Sequence, residues 1–372
     1  MSRDCRALID VGALRHNLAA VRRLSPGSPV MAVVKANAYG HGLAIAARAL
    51  AGADAFAVAS LEEALAVRAA GLTQPVVLLE GVSNRLALEA ALAQNFEVVI
   101  HDPSQLPLLE TLDAAHPLTV WLKVDSGMNR LGFRIEDAHA VWRLLTALPG
   151  VRQPIGLMTH LANADDPGDD FSRVQIQRFN DFAAGLPGPR SIANSAGIAA
   201  WPDSHAGWVR PGILLYGVSP LVNGSGVDHG LRPVMTVSTR LIAVKQLAAS
   251  DRVGYGGAWT APEAMPIGIA AIGYGDGYPR QAPNGAPVLV NGRRAGLVGR
   301  VSMDMIAVDL RDLEATVGDP VTLWGEGLPI EELARAANMI PYELLCGVTQ
   351  RVKFSVCGEN EEHNAVPASE SL

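Results

Sequence analysis

The stretch "VVKANAYGHG" ends an apolar run on Lys35 and follows it with Tyr39, two glycines and His41. Lysine is strongly hydrated, so a single lysine in this place could do no more than reach bulk water from the end of a strand. Other polar residues end apolar runs in the same way: Lys123 with Arg130 just beyond it, His160, Asn194 with Ser195, and Arg210. Each has an ordinary reading on its own. A buried histidine with satisfied hydrogen bonds would account for His160, and "NSAG" at 194–197 would serve as a helix N-cap. Together they set a primary amine among cations and phosphate-sized donors, which is what a phosphorylated aldehyde held as a Schiff base requires. Pyridoxal phosphate is the candidate cofactor.

Such residues can converge only if the elements carrying them present one common edge. From residue 29 short apolar runs alternate with Ala- and Leu-rich stretches, the rhythm of βα units and a parallel sheet. Strands are expected in "PVMAVV", "DAFAVA", "PVVLLE", "FEVVI", "LTVWLKV", "PIGLMTH", "RSIAN" and "WVRPGILLYG", with crossover helices such as "GLAIAARALAGA" and "SLEEALAVRAAG" between them. Eight strands point to a (β/α)8 TIM-type barrel, with a doubly wound open sheet as the lesser alternative. In a barrel, functional groups sit where the strands end, and five of the eight expected ends carry the polar residues named above.

Near residue 231 the rhythm changes to longer β-type runs, with an Asn291-Gly292 hairpin signal and one helical patch at "IEELARAAN". The expected division is a barrel over 1–230, a mostly β domain over 231–358, and a mobile tail over 359–372, where four glutamates have almost nothing apolar to bury. No internal repeat is found. With 49% apolar and 18% charged residues the 372-residue chain has the composition of a packed two-domain protein. A net charge of -7, with Lys and Arg scattered, disfavours nucleic acid as a partner. Lacking a secretory h-region or an apolar run of spanning length, the sequence is expected to be cytoplasmic and to have no membrane partner. Cys5, Cys346 and Cys357 have neither disulfide-framework nor zinc spacing, so no metal is expected and buried thiols are the default.

"AVVKANAYGHG" strongly resembles the cofactor-lysine motif of the alanine racemases, fold-type III pyridoxal-phosphate enzymes. The resemblance continues in order through "KVDSGMNRLGF", "MTHLANAD", "NSAG", "WVRPGILLYG", "RVGYGG", "GYGDGYPR", "SMDM" and "PYELLC", nearly the whole chain. It implies an N-terminal barrel, a C-terminal β domain and racemisation of alanine, serving D-alanine supply for peptidoglycan or alanine catabolism.

By matched position the resemblance assigns Lys35 as the residue that holds the cofactor and acts as acid and base on one face of the substrate. Tyr255 would be the second base, contributed by the partner of a homodimer, because a proton taken from one face must be returned to the other. Tyr39, Ser195, Gly212, Ile213 and Tyr342 would bind the phosphate. Arg210 would face the pyridine nitrogen, oriented by His160, and a guanidinium there donates a hydrogen bond without readily giving up its proton. Arg130 would hold the substrate carboxylate, and the backbone of Met303 from the partner subunit would complete that site. Lys123 matches a lysine that is N-carbamylated in many relatives, and Asp165, Tyr274, Arg280 and Arg300 match a corridor by which substrate reaches the site. Two departures stand out: "RVKF" at 351–354, where proline often follows "RV", and Leu161, where phenylalanine is common. A racemase of serine or of broader specificity is the nearest alternative. A non-catalytic pyridoxal-phosphate-binding barrel would lack the β domain, and a fold-type III decarboxylase would need motifs this chain does not have.

Overall fold

The computed structural model describes residues 4–358, so the expected tail at 359–372 lies outside the described residues. They divide into two compact units: residues 16–232, and residues 4–15 together with 233–358. The strand pattern begins earlier than Pro29, with β1 (Arg6–Asp10), whose Ala7 and Ile9 are buried while Arg6 and Leu8 face out. This alternation has the period of a half-buried strand, but five residues beside charged neighbours make a weak signal.

In the first unit follow β2 (Met31–Val33), β3 (Ala55–Val58), β4 (Val76–Leu78), β5 (Glu97–Ile100), β6 (Val120–Asp125), the two-residue β7 (Phe133–Arg134), β8 (Gly156–Met158) and β9 (Arg190–Ser191). They pair in parallel in the order β2-β3-β4-β5-β6-β8-β9, with β7 beside β6. Runs such as MAV, AFAV and VVL are buried throughout, as strands covered on both faces must be. The expected crossover helices form at Leu43–Ala49 and Leu61–Ala69, the latter capped by Ser60, whose hydroxyl accepts from the Glu63 N–H.

Seven of the eight expected runs contain a strand of this curled sheet, and the eighth is a correction. From Trp208 the chain makes an extended segment with one bridge residue, Val209. It still occupies the eighth place: Trp208 and Arg210 N–H groups donate to the Arg190 and Ala193 carbonyls on one side, and Met31 and Val33 donate to Val209 and Pro211 on the other. Pro211 has no N–H to extend the ladder, and the next turn of chain is the 3₁₀ helix Ile213–Tyr216.

The second unit is antiparallel apart from one pairing. Its strands are β10 (Met235–Leu247), β11 (Arg252–Val253), β12 (Trp259–Thr260), β13 (Met265–Ala270), β14 (Pro287–Val290), β15 (Arg293–Val298), β16 (Ile306–Asp309), β17 (Pro320–Trp324) and β18 (Lys353–Cys357). Six close into a ring, β13-β16-β15-β14-β17-β10, because the long β10 also pairs with β13, and β1 and β18 extend the sheet from β10. The expected hairpin at Asn291-Gly292 is present, with φ of 51° and 74°. The helical patch runs Ile330–Ala336, and a second short helix, Pro341–Cys346, carries Tyr342. Cys5 is buried as expected, but Cys346 is exposed and Cys357 lies between the two states. Among the described residues no helix is long and apolar enough to cross a membrane.

Candidate active site

Lys35 directly follows Val34 at the end of β2 and opens a tight left-handed turn. Ala36, Asn37, Ala38 and Tyr39 hold φ of 52°, 53°, 55° and 53°. Each L-residue in that region costs about 1–2 kcal/mol, so the surroundings must supply compensating bonds. They do. The Ala38 N–H donates to Val34 and the Gly40 N–H to Ala36, while the Asn37 side-chain oxygen accepts from the Leu43 N–H at 2.8 Å. The Glu63 carboxylate accepts from the Ala36 N–H at 2.6 Å and, through its other oxygen, from the Ala59 N–H at 2.9 Å.

Beneath the turn, His41 is fully buried, and burial pushes its pKa down to about 4, so the ring is neutral near pH 7. Its Nδ1 lies 2.9 Å from the Ala38 carbonyl and 3.0 Å from that of Tyr39, both acceptors, which requires the proton on Nδ1. The ring stacks on Tyr216 at 4.6 Å, Tyr216 stacks on Tyr39 at 4.8 Å, and the Tyr216 hydroxyl donates to the Val33 carbonyl.

Four further positive or polar groups collect around the same strand ends. Lys123 on β6 is only 8% exposed, and burial, then the charges of Arg210, Arg130 and Lys35, lowers its pKa to about 8. Arg210 is buried, and burial brings it down to about 10, still protonated at neutral pH. Its guanidinium donates to Ser191 Oγ at 2.5 Å and to the Thr159 and Ile192 carbonyls at 2.6 and 3.2 Å. His160 Nδ1 lies farther from it, at 3.4 Å. Burial and then the Arg210 and Lys123 charges hold His160 well below the usual histidine range, so it is a neutral ring among cations. Arg130 lies exposed on the loop after β6, where Asp125 accepts from the Gly127 and Asn129 N–H groups and fixes the turn.

A second cluster lies between the Lys35 turn and the extended segment. The hydroxyl of Ser195, at the start of the helix Ser195–Ala200, accepts from the Gly212 N–H at 2.8 Å. A β-carbon on Gly212 would collide with the Tyr39 hydroxyl, so the two come together only because this residue is glycine. Ile213 is the next residue in chain. Two hydroxyls and the backbone N–H groups of 212 and 213 have the donor chemistry of a phosphate cradle, and Lys35 and Arg210 match an aldehyde and a pyridine nitrogen. The residues present therefore fit pyridoxal phosphate.

The remaining predicted residues lie elsewhere. Asp165 is exposed in the barrel unit. In the β unit, Tyr255 is 69% exposed on a turn flanked by Gly254 and Gly256 at φ of 71° and 70°, and Arg300 packs against Gly256. The loops of Tyr274 and Met303 are tied together: Tyr274 N–H donates to the Ser302 carbonyl and Gly275 N–H to that of Met303. Arg351 pairs with Asp304 on one loop and with buried Asp276 on the other, at 3.4 Å. Arg280 is exposed and Tyr342 half-buried. Sequence reading singled out neither Glu63, Ser191 nor Arg351. Ser191 lay inside the quoted run "RSIAN", but nothing in a strand pattern shows which cation a serine will meet.

A parallel ring that gathers an amine and several cations at the carboxyl ends of its strands, in one chain with a separate antiparallel domain, is the plan of a two-domain barrel protein with a cation-rich site where barrel active sites lie. The alanine racemase N-terminal domain model matches residues 9–220, and the alanine racemase C-terminal domain model matches residues 234–356. The alanine racemase of Nitrosococcus oceani is 54% identical over 349 residues, 93% of this chain and 98% of that one. The crystal structure of biosynthetic alanine racemase from Pseudomonas aeruginosa has a TM-score of 0.92 and 46% identity, covering 95% of this chain and 99% of the other. That of the Bartonella henselae enzyme with covalently bound pyridoxal phosphate has a TM-score of 0.85 and 31% identity, over 95% and 99%. The chain belongs to the alanine racemase family, a family of isomerases.

Proposed function

We propose that this protein is a pyridoxal-phosphate-dependent racemase that interconverts L-alanine and D-alanine. The observation that carries the reading is the pairing of Lys35, at the end of β2, with a donor set of cofactor chemistry: Tyr39, Ser195, Gly212 and Arg210. Bound through Lys35, the cofactor supplies an electron sink for the negative charge left when the substrate's α-proton departs. Lys35 takes or gives that proton on one face, and Tyr255 of a second copy does so on the other, which makes the active unit a homodimer. Tyr39, Ser195, Ile213 and Tyr342 hold the phosphate. Arg210, still protonated at neutral pH, donates to the ring nitrogen without surrendering its proton, which favours return of the proton to the α-carbon. Arg130 and the Met303 backbone of the second copy orient the carboxylate, and Asp165, Tyr274, Arg280 and Arg300 line the approach.

Lys123 fits carbamylation. An amine whose pKa is about 8 has a larger neutral fraction than an ordinary lysine, and its attack on carbon dioxide forms an N–C bond, releases a proton and leaves an anion among Arg130, Arg210 and Lys35. A role in D-alanine supply is supported by the likeness to the biosynthetic alanine racemase of Pseudomonas aeruginosa.

The test is a chiral assay of the purified protein with pyridoxal phosphate, following D-enantiomer from L-alanine, with L-serine and L-lysine in parallel. Alanine alone should turn over, and Tyr255→Phe should abolish most racemisation while leaving the cofactor bound. Turnover of serine in place of alanine would reassign the substrate, and no turnover with any of the three would overturn the reading.

A further inference from the structure

Every other non-glycine residue of positive φ among the described residues stands singly, and four of those five are asparagines. The run Ala36–Tyr39 is different in kind: four such residues in succession, only one of them asparagine, lying between Lys35 and the Tyr39 side chain. Nothing intrinsic to "KANAY" favours this backbone, so it persists through side chains that grip it from outside. Glu63 grips its start. One oxygen takes the N–H of the peptide that joins Lys35 to Ala36, and the other takes the Ala59 N–H just past β3, so the carboxylate ties two strand ends together. His41 grips its finish, donating from Nδ1 toward the Ala38 and Tyr39 carbonyls while its ring rests on Tyr216.

We propose that Glu63 and His41 are positioning residues for the reaction, clamping the two ends of the left-handed turn so that Lys35 and Tyr39 keep their directions. The proposal rests on the reading of Lys35 and Tyr39 given above. Both clamps act through backbone groups and neither is asked to exchange a proton. A carboxylate is the right chemistry for Glu63 because both of its oxygens accept. The amide in Glu63→Gln has the same shape but only one accepting atom, so one of the two N–H groups must lose its partner. At position 41 the two contributions separate: His41→Phe keeps a ring for Tyr216 and removes the donor, whereas His41→Asn restores an N–H near the place of Nδ1 without the ring.

The experiment compares wild-type, Glu63→Gln, His41→Phe and His41→Asn proteins loaded with pyridoxal phosphate. It measures kcat and KM for alanine, the visible circular dichroism of bound cofactor, cofactor affinity by absorbance titration, and the melting temperature. A misdirected reacting amine should lower kcat about tenfold or more in Glu63→Gln and His41→Phe, with KM within roughly twofold. The dichroic band should change in both, and His41→Asn should recover most of the loss. Wild-type kcat and dichroism in both variants would overturn the proposal. So would losses that follow the melting temperature in all three variants without recovery in His41→Asn. A wild-type protein that neither takes up the cofactor nor racemises alanine would instead overturn the underlying reading, and this proposal with it.

Discussion

The hydroxyl of Tyr39 occupies the space in which a β-carbon of residue 212 would sit, so Gly212 and Tyr39 define one wall of the proposed phosphate cradle together. The φ of Gly212, -113°, lies outside the left-handed region, and what a side chain there would meet first is the Tyr39 hydroxyl. Gly212→Ala should push the tyrosine aside and weaken pyridoxal-phosphate affinity by about 10-fold or more, with a smaller effect on the melting temperature of the cofactor-free protein. Titration of cofactor absorbance measures this. An unchanged dissociation constant would show that Tyr39 takes no part in the cradle.

Lys123 gives a prediction with a definite sign. Its folded pKa, about 8, lies below the ordinary 10.5, so between these values the unfolded chain binds a proton that the folded one does not. Stability must then rise with pH through that window, and the penalty of holding the charged amine is fully present below pH 8. Its size is roughly 3 kcal/mol as an upper figure. Lys123→Met should therefore be more stable than wild type at pH 7, with the gain shrinking toward pH 10. Added bicarbonate should close the gap at pH 7–8 by stabilising wild type alone. Melting temperatures across this range, with and without bicarbonate, check both statements, and a gain that does not vary with pH would refute the first.

Arg351 pairs with Asp304 and with Asp276, whose carboxylate is buried and accepts from the Gly273 N–H. Removing the cation takes away the charge that Asp276 and Asp304 share, at a cost of about 1–3 kcal/mol, and slackens the loops that present Tyr274 and Met303. Arg351→Met should lower the melting temperature by several degrees and raise KM for alanine several-fold. Cofactor affinity should stay within about twofold of wild type. A matching fall in cofactor affinity would show that the defect is not confined to these loops.

Much of this architecture was legible before any coordinates. Strands covered on both faces leave continuous apolar runs, and β2 to β6, β8 and β9 lie in such runs, while the two-residue β7 leaves no such signal and the Asn291-Gly292 hairpin shows through its turn chemistry. The eighth position fails as a strand because Pro211 cannot donate, a local veto inside an otherwise persuasive run. β1 is too short to stand out, and its place depends on partners found hundreds of residues away. The site divides along the same line. Lys35, Tyr39, Ser195, Arg210 and Gly212 sit inside recognisable motifs. Glu63 looks like one more charge in the first turn of a helix, and only the fold shows that its carboxylate reaches the end of β2. Ser191 and Arg351 were hidden for the same reason, since their meaning lies in which charged group the tertiary structure brings to them.

The pairing of β1 with β10 and, in parallel, with β18 has a consequence for how the chain is made. Residues 16–232 form a continuous stretch and can assemble in step with synthesis at the ribosome. Arg6–Asp10 emerges before every other described strand yet must wait for Lys353–Cys357, the last of them, before its second edge is covered. One edge of this five-residue strand therefore stays uncovered through nearly the whole of translation, and closing so long a loop is slow. The earliest of these strands to be made is the last to have both edges covered, so a stalled or truncated chain that lacks β18 exposes a strand edge open to association.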